Sequence, residues 1–69
     1  MPDRPELYDN GNRRYSGETV NGRMHGPWEF FRRDGSLMRS GAFDHDRQIG
    51  PWTTYDRTGA IVKVTDFGD

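Results

Sequence analysis

The 69-residue sequence predicts an all-β fold, a single-layer antiparallel meander of tandem β-hairpins with about 24 residues per unit and about six strands. Three observations lead there. Gly26-Pro27-Trp28 returns as Gly50-Pro51-Trp52, 24 positions on, and the echo continues through Phe31/Tyr55, Gly35/Gly59, Leu37/Ile61 and Phe43/Phe67. At this offset ten of 35 positions are identical, against roughly two for unrelated segments of ordinary composition. Glycine recurs so often that few helix-length windows escape it, and no apolar spacing of three and four is sustained, so helix is not expected.

Strands are bounded by turn signals at Asn10-Gly11, Asn21-Gly22, Asp34-Gly35 and Thr58-Gly59. These dipeptides suit hairpin tips because glycine reaches positive φ freely and Asn or Asp at small cost. The predicted strands are roughly 5–9, 12–20, 27–33, 36–43, 51–57 and 60–67, in one domain over 1–69 with units near 3–26, 27–50 and 51–69. Links from Val20 to Gly26 and from Asp44 to Gly50 are read as longer connections ending in Gly-Pro, with proline opening the next strand. A two-residue turn at Asp34-Gly35 pairs Arg33 with Ser36, Phe31 with Met38 and Trp28 with Gly41, laying the Trp28 ring over a glycine. The same register at Thr58-Gly59 pairs Tyr55 with Val62 and Trp52 with Thr65.

Alternation then places Trp28, Phe30, Leu37, Gly41 and Phe43 on a core face with Trp52, Ile61 and Phe67. Gly17, Gly26, Gly35, Gly50 and Gly59 complete the structural repeat. The opposite face carries Glu29, Phe31, Met38, Ser40, Tyr55, Val62 and Val64, too apolar to be simply solvated. Two open edges and two partly apolar faces lead to the expectation of a homodimer or a bound protein partner.

Composition narrows the function classes. Hydrophobic residues make up 30% of the chain and mean hydropathy is −1.09, yet 13% of residues are aromatic, so rings stand in for an aliphatic core. Cysteine is absent, and neither an export segment nor a membrane-length apolar run is visible, which makes a cytoplasmic location the expectation. A net charge of −1 argues against a dedicated nucleic-acid binder. No polybasic cluster or amphipathic helix favours a membrane surface.

The run Tyr15-Ser16-Gly17-Glu18-Thr19-Val20-Asn21-Gly22-Arg23-Met24-His25-Gly26 resembles the MORN repeat, Tyr-x-Gly-x-aromatic-x-Asn-Gly-basic-x-His-Gly. Pro27-Trp28-x-Phe30-Phe31-x-x-Asp34-Gly35-x-Leu37 is similar to the bacterial variant grouped as YwqK-family antitoxins. Thr19 replaces an aromatic, Arg39 and Lys63 stand at the repeat's Tyr, and Asp44-His45-Asp46 replaces the second Asn-Gly link. The resemblance implies a curved sheet used for protein contact and an antitoxin-like role in a bacterial or phage setting.

Catalytic chemistry is not expected. There is no nucleophile elbow, Walker motif or dinucleotide motif, and no evident pocket in which to shift a carboxylate pKa. Neither a metal nor a cofactor is expected, since adjacent residues in Asp44-His45-Asp46 point to different sides and no further His or Cys completes a set. The functional expectation is a non-enzymatic inhibitor that docks on a protein and blocks it. Phe31, Met38 and Tyr55, with the charged residues Arg32, Arg33, Arg39, Asp44 and Asp46, are the candidate contact residues. One alternative is a phage or mobile-element inhibitor of a host defence nuclease or CRISPR-type complex, with Asp3, Glu6, Asp9, Asp44, Asp46 and Asp66 imitating phosphate. The other is single-stranded RNA binding through the central arginines and aromatics.

Overall fold

The computed structural model describes residues 6–68. It contains one antiparallel sheet of five strands in sequential order: β1 (Tyr15–Val20), β2 (Arg23–Phe31), β3 (Leu37–Asp44), β4 (Arg47–Tyr55) and β5 (Ile61–Asp66). The molecule measures 38 × 34 × 10 Å, one sheet layer thick. No helix forms among the described residues. The first predicted strand, 5–9, begins outside them and otherwise reduces to a single Leu7–Arg13 bridge.

Two kinds of turn alternate along the chain. Val20 pairs with Arg23 across Asn21-Gly22, whose φ values of 51° and 78° define a tight two-residue turn. One repeat later Asp44 pairs with Arg47 across His45-Asp46. These two non-glycine residues are held at φ of 51° and 72°. The predicted long links are therefore short turns, and β2 and β4 begin four residues before Pro27 and Pro51.

The opposite end uses three-residue tips. Gly35 donates its N–H to Arg32 O (2.9 Å), Arg32 donates to Ser36 O (2.8 Å), and Gly35 sits at φ 93°. That combination is a type I turn closed by a glycine bulge. The 56–60 and 8–12 segments make the same pair of bonds. The extra residue corrects the predicted register near each tip: Phe31 faces Leu37 and Tyr55 faces Ile61, leaving Met38 and Val62 as bulged residues. Farther from the tip the predicted pairs hold, Trp28 with Gly41 and Trp52 with Thr65. The bulges also move Leu37 and Ile61 off the core face, and Ile61 is 64% exposed.

Although Trp28 faces Gly41 in the backbone register, its ring does not lie over that glycine as predicted: each tryptophan covers the glycine of the preceding strand, Trp28 on Gly17 and Trp52 on Gly41. Ser16 faces Glu29 and Glu18 faces His25, so Gly17 alone opposes Gly26-Pro27-Trp28. Gly41 opposes Gly50-Pro51-Trp52 in the same way between β3 and β4. Gly26 (φ 82°) and Gly50 (φ 67°) buckle the strand there. Each proline is thereby accommodated mid-strand at an irregularity, where its missing N–H is tolerated. The Trp28 ring folds back onto Gly17 and the Trp52 ring onto Gly41, so closely that a Cβ at either glycine would overlap the indole. Each indole N–H then bonds the carbonyl just beyond, Trp28 Nε1 to Glu18 O (2.9 Å) and Trp52 Nε1 to Ala42 O (3.1 Å).

Trp28, Phe43 and Trp52, each 4–6% exposed, form the core, flanked by Tyr15, Met24 and Phe30. Their rings make a continuous ladder: Phe43 meets both tryptophans edge-on at 5.8 and 5.1 Å, and Phe67 closes on Trp52 at 6.3 Å. Such pairs contribute about 0.5–1.5 kcal/mol each beyond area burial. Tyr15 lies 5.5 Å from Trp28. In the next unit Arg39 takes its place, its guanidinium 5.2 Å from Phe30 and 5.6 Å from Trp52.

Replacing Trp52 by Ala is expected to cost about 3–5 kcal/mol in a urea melt. Gly41→Ala is expected to be strongly destabilising too, because it expels the same ring. A loss below about 1 kcal/mol for either would contradict the ring-on-glycine core.

Candidate functional site

The sheet places the candidate contact residues in three separate locations. The first is the row of three-residue tips, where each tip is fastened to the next hairpin. Tyr8 Oη donates to Phe31 O (2.8 Å), and 24 residues on, Arg32 Nη2 donates to Tyr55 O. Arg32 also bonds Ser36 Oγ and Leu37 O through Nη1. Ion pairs run along the same row, Arg33 with Asp9 and Arg57 Nε with Asp34 at 2.9 Å. Asn10 and Asn12 both donate side-chain N–H groups to Arg33 O. Arg32 and Arg33 therefore hold neighbouring tips together.

The second location is the face opposite the aromatic ladder. Ser16, Glu29, Ser40 and Thr53 are successive register partners across it. With Pro27 and Pro51 they border an open depression of about 400 Å³. Tyr55 Oη lies 3.3 Å from Ser40 Oγ, and Phe31 and Tyr55 are both half-buried. Met38 stands at its bulge, also half-buried. Arg39 belongs to the other face, over the ladder. At the margin, β5 leaves Ile61, Val62 and Val64 exposed at 64%, 59% and 57%.

The third location is the turn at the other end, where His25, Asp44 and His45 come together. His45 Nδ1 lies 2.7 Å from Asp44 Oδ1, His25 Nδ1 lies 3.7 Å from the same oxygen, and the imidazole centroids are 4.9 Å apart. His25 Nδ1 is shielded from solvent and has no hydrogen-bond partner. Asp46 is occupied otherwise: its Oδ1 accepts the Met24 N–H (2.7 Å) and its own N–H donates to Met24 O (2.9 Å). Asp44 and Asp46, adjacent to the same histidine in sequence, thus have different tasks. The meeting with His25 was not anticipated, although the Trp28–Gly41 register, extended three residues, sets His25 opposite Asp44.

Compared with known proteins, the chain matches no family model, no curated protein and no solved structure.

Two carboxyls at the tips lie below their ordinary value of 3.8. Asp34 is lowered first by the Ser36 hydroxyl and then by the Ser36 N–H, with Arg57 adding less. Asp56 is lowered by the Thr58 hydroxyl and by the N–H groups of Ala60 and Thr58. These bonds favour the carboxylate in the folded chain, so their contribution is complete above the unfolded-state pKa and is lost as pH falls through the lowered folded values. The thermal midpoint is expected to be insensitive to these two groups above about pH 5 and to decline below pH 3.8. An Asp34→Asn/Asp56→Asn double variant should show a shallower acid decline. An identical decline would show that these turns do not set acid stability.

Proposed function

We propose that this chain is a non-enzymatic protein-binding module, an antitoxin-like inhibitor that docks on and blocks a protein partner by offering the β5 edge for strand addition. The observation that carries this reading is the edge itself. Among the described residues β5 is an outermost strand of the sheet and presents exposed Ile61, Val62 and Val64, with Phe67 (48% exposed) beyond them. An extended partner segment laid along it would gain backbone hydrogen bonds from the edge and side-chain contacts from the valines.

The other surfaces support binding less well. The depression bordered by Ser16, Glu29 and Thr53 is open and holds a single ionisable side chain, Glu29, without an acid–base partner. Among the arginines, Arg32 and Arg33 fasten the tips, Arg39 lies over Phe30 and Trp52, and Arg14 lies 5.5 Å from the Tyr8 ring. That engagement weighs against RNA binding. Phosphate mimicry is weakened because Asp9, Asp44 and Asp46 each interact with the chain's own cations or donors, while Asp3 lies outside the described residues.

A Val62→Lys/Val64→Lys variant tests the edge. It should remain folded by circular dichroism and lose affinity for the partner captured by the wild-type chain at least about tenfold. Charge reversal at Arg33, on the tip row, should leave capture intact. Should sedimentation show a wild-type dimer that the double variant dissociates, the occupant of the edge is a second copy. Retention of the partner at full affinity by the double variant would refute the edge as the docking surface.

A further inference from the structure

We propose that His25, Asp44 and His45 form a binding site for a first-row divalent transition metal such as Zn²⁺, at the end of the sheet where β2 meets the β3–β4 turn. His25, Asp44 and His45 converge from two strands and a turn, each offering one ligand atom within 4.8 Å of the others. Two donors on one Zn²⁺ ion, each at about 2.0–2.2 Å, stand about 3–3.5 Å apart. The separations of 2.7 Å for His45–Asp44 and 3.7 Å for His25–Asp44 bracket that spacing.

Three features distinguish this cluster from an ordinary polar turn. First, His25 Nδ1 is a solvent-shielded ring nitrogen without a hydrogen-bond partner. At 3.7 Å from Asp44 Oδ1 it is too far for a hydrogen bond but well placed for an ion between them. A buried polar atom left this way is costly, and a cation would satisfy it. Second, the scaffold does not require these residues. In the 24-residue repeat Asp44 corresponds to Val20 and His45 to Asn21, while His25 corresponds to Ile49. The three positions therefore diverge between repeats, yet fold to one point. Third, His45 occupies positive φ (51°), a conformation Asn21 fills more readily in the equivalent turn. Asp46 secures the geometry from behind by bonding Met24 N and O, which pins the turn to the strand carrying His25.

Two imidazoles and one carboxylate form a borderline donor set suited to Zn²⁺, Co²⁺, Ni²⁺ or Cu²⁺, whereas Mg²⁺ and Ca²⁺ favour all-oxygen shells. Arg47 Nη2 approaches the other carboxylate oxygen, Asp44 Oδ2, at 3.8 Å, and metal binding would replace the 2.7 Å hydrogen bond between Asp44 Oδ1 and His45 Nδ1, releasing a proton. Because the ligands assemble only in the folded sheet, metal binding would clamp the turn and raise stability.

The test uses tag-free protein, so that no added histidines compete. Zn²⁺ is titrated calorimetrically, Co²⁺ serves as the absorption probe and Mg²⁺ as the control. The expected result is saturable one-to-one Zn²⁺ binding and a visible Co²⁺ spectrum. At zinc a hundredfold above Kd, Tm should rise by about 10–20 °C. His25→Gln and His45→Asn, the latter suited to the turn as Asn21 is, should each weaken Zn²⁺ binding by at least about tenfold. Near-ultraviolet circular dichroism checks that both variants retain the aromatic core. Zinc affinity unchanged in both folded variants, absence of saturable Zn²⁺ binding to the wild type, or equal binding of Mg²⁺ would each overturn the proposal.

Discussion

The seating of an indole on a bare glycine of the preceding strand is the contact on which the rest of the sheet depends. Only glycine leaves room for the ring at positions 17 and 41. Only a strand buckled by the positive-φ residues Gly26 and Gly50 can turn the following Trp back over its neighbour. The indole N–H bonds to Glu18 O and Ala42 O then fix each ring's orientation. A one-layer sheet has no second layer to bury its apolar side chains, so the core must be made within the sheet's own thickness. Trp28 and Trp52 achieve this by lying along the surface, with Phe30 and Phe43 between them.

The same periodicity organises the polar ends. Tyr8 and Arg32 occupy equivalent tip positions with unlike side chains, yet both donate to the carbonyl 23 residues ahead. The fold thus preserves a donor at that place while allowing the residue to change. A comparable exchange occurs on the ladder, where Tyr15 stacks near Trp28 and Arg39 covers Trp52. Among the described residues no strand pairs with the outer edge of β5, whose exposed valines are the surface from which protein binding is proposed. The His25–Asp44–His45 cluster lies at the turn end, away from the Arg32 and Arg33 tips, and rests on residues that break the periodicity.

Much of the architecture was legible because glycine and turn chemistry are local. Asn21-Gly22 and Gly35 mark their tips directly, and the Trp28–Gly41 and Trp52–Thr65 pairs follow from counting back from a tip. What escaped was the bulge at Met38 and Val62, since a three-residue glycine tip and a two-residue turn differ by one residue that no side chain announces. His45-Asp46 reads as part of a long link because it holds no glycine to mark a tight turn, although His and Asp are among the non-glycine residues that reach positive φ. That misreading hid the short β3–β4 turn and the approach of His25 to Asp44. Arg32 and Arg33, expected as contact residues from their charge, also bond Tyr55 O and Asp9 in neighbouring hairpins. Only three-dimensional pairing reveals such roles.

The most direct measurement of the central contact is the proton chemical shift of the Gly17 and Gly41 α-protons. With an indole lying on each glycine, ring currents should move these resonances well upfield of the random-coil position, and Trp28→Leu or Trp52→Leu should restore the shift at the covered glycine. Both glycines resonating at random-coil positions in the folded wild-type protein would contradict the ring-on-glycine core.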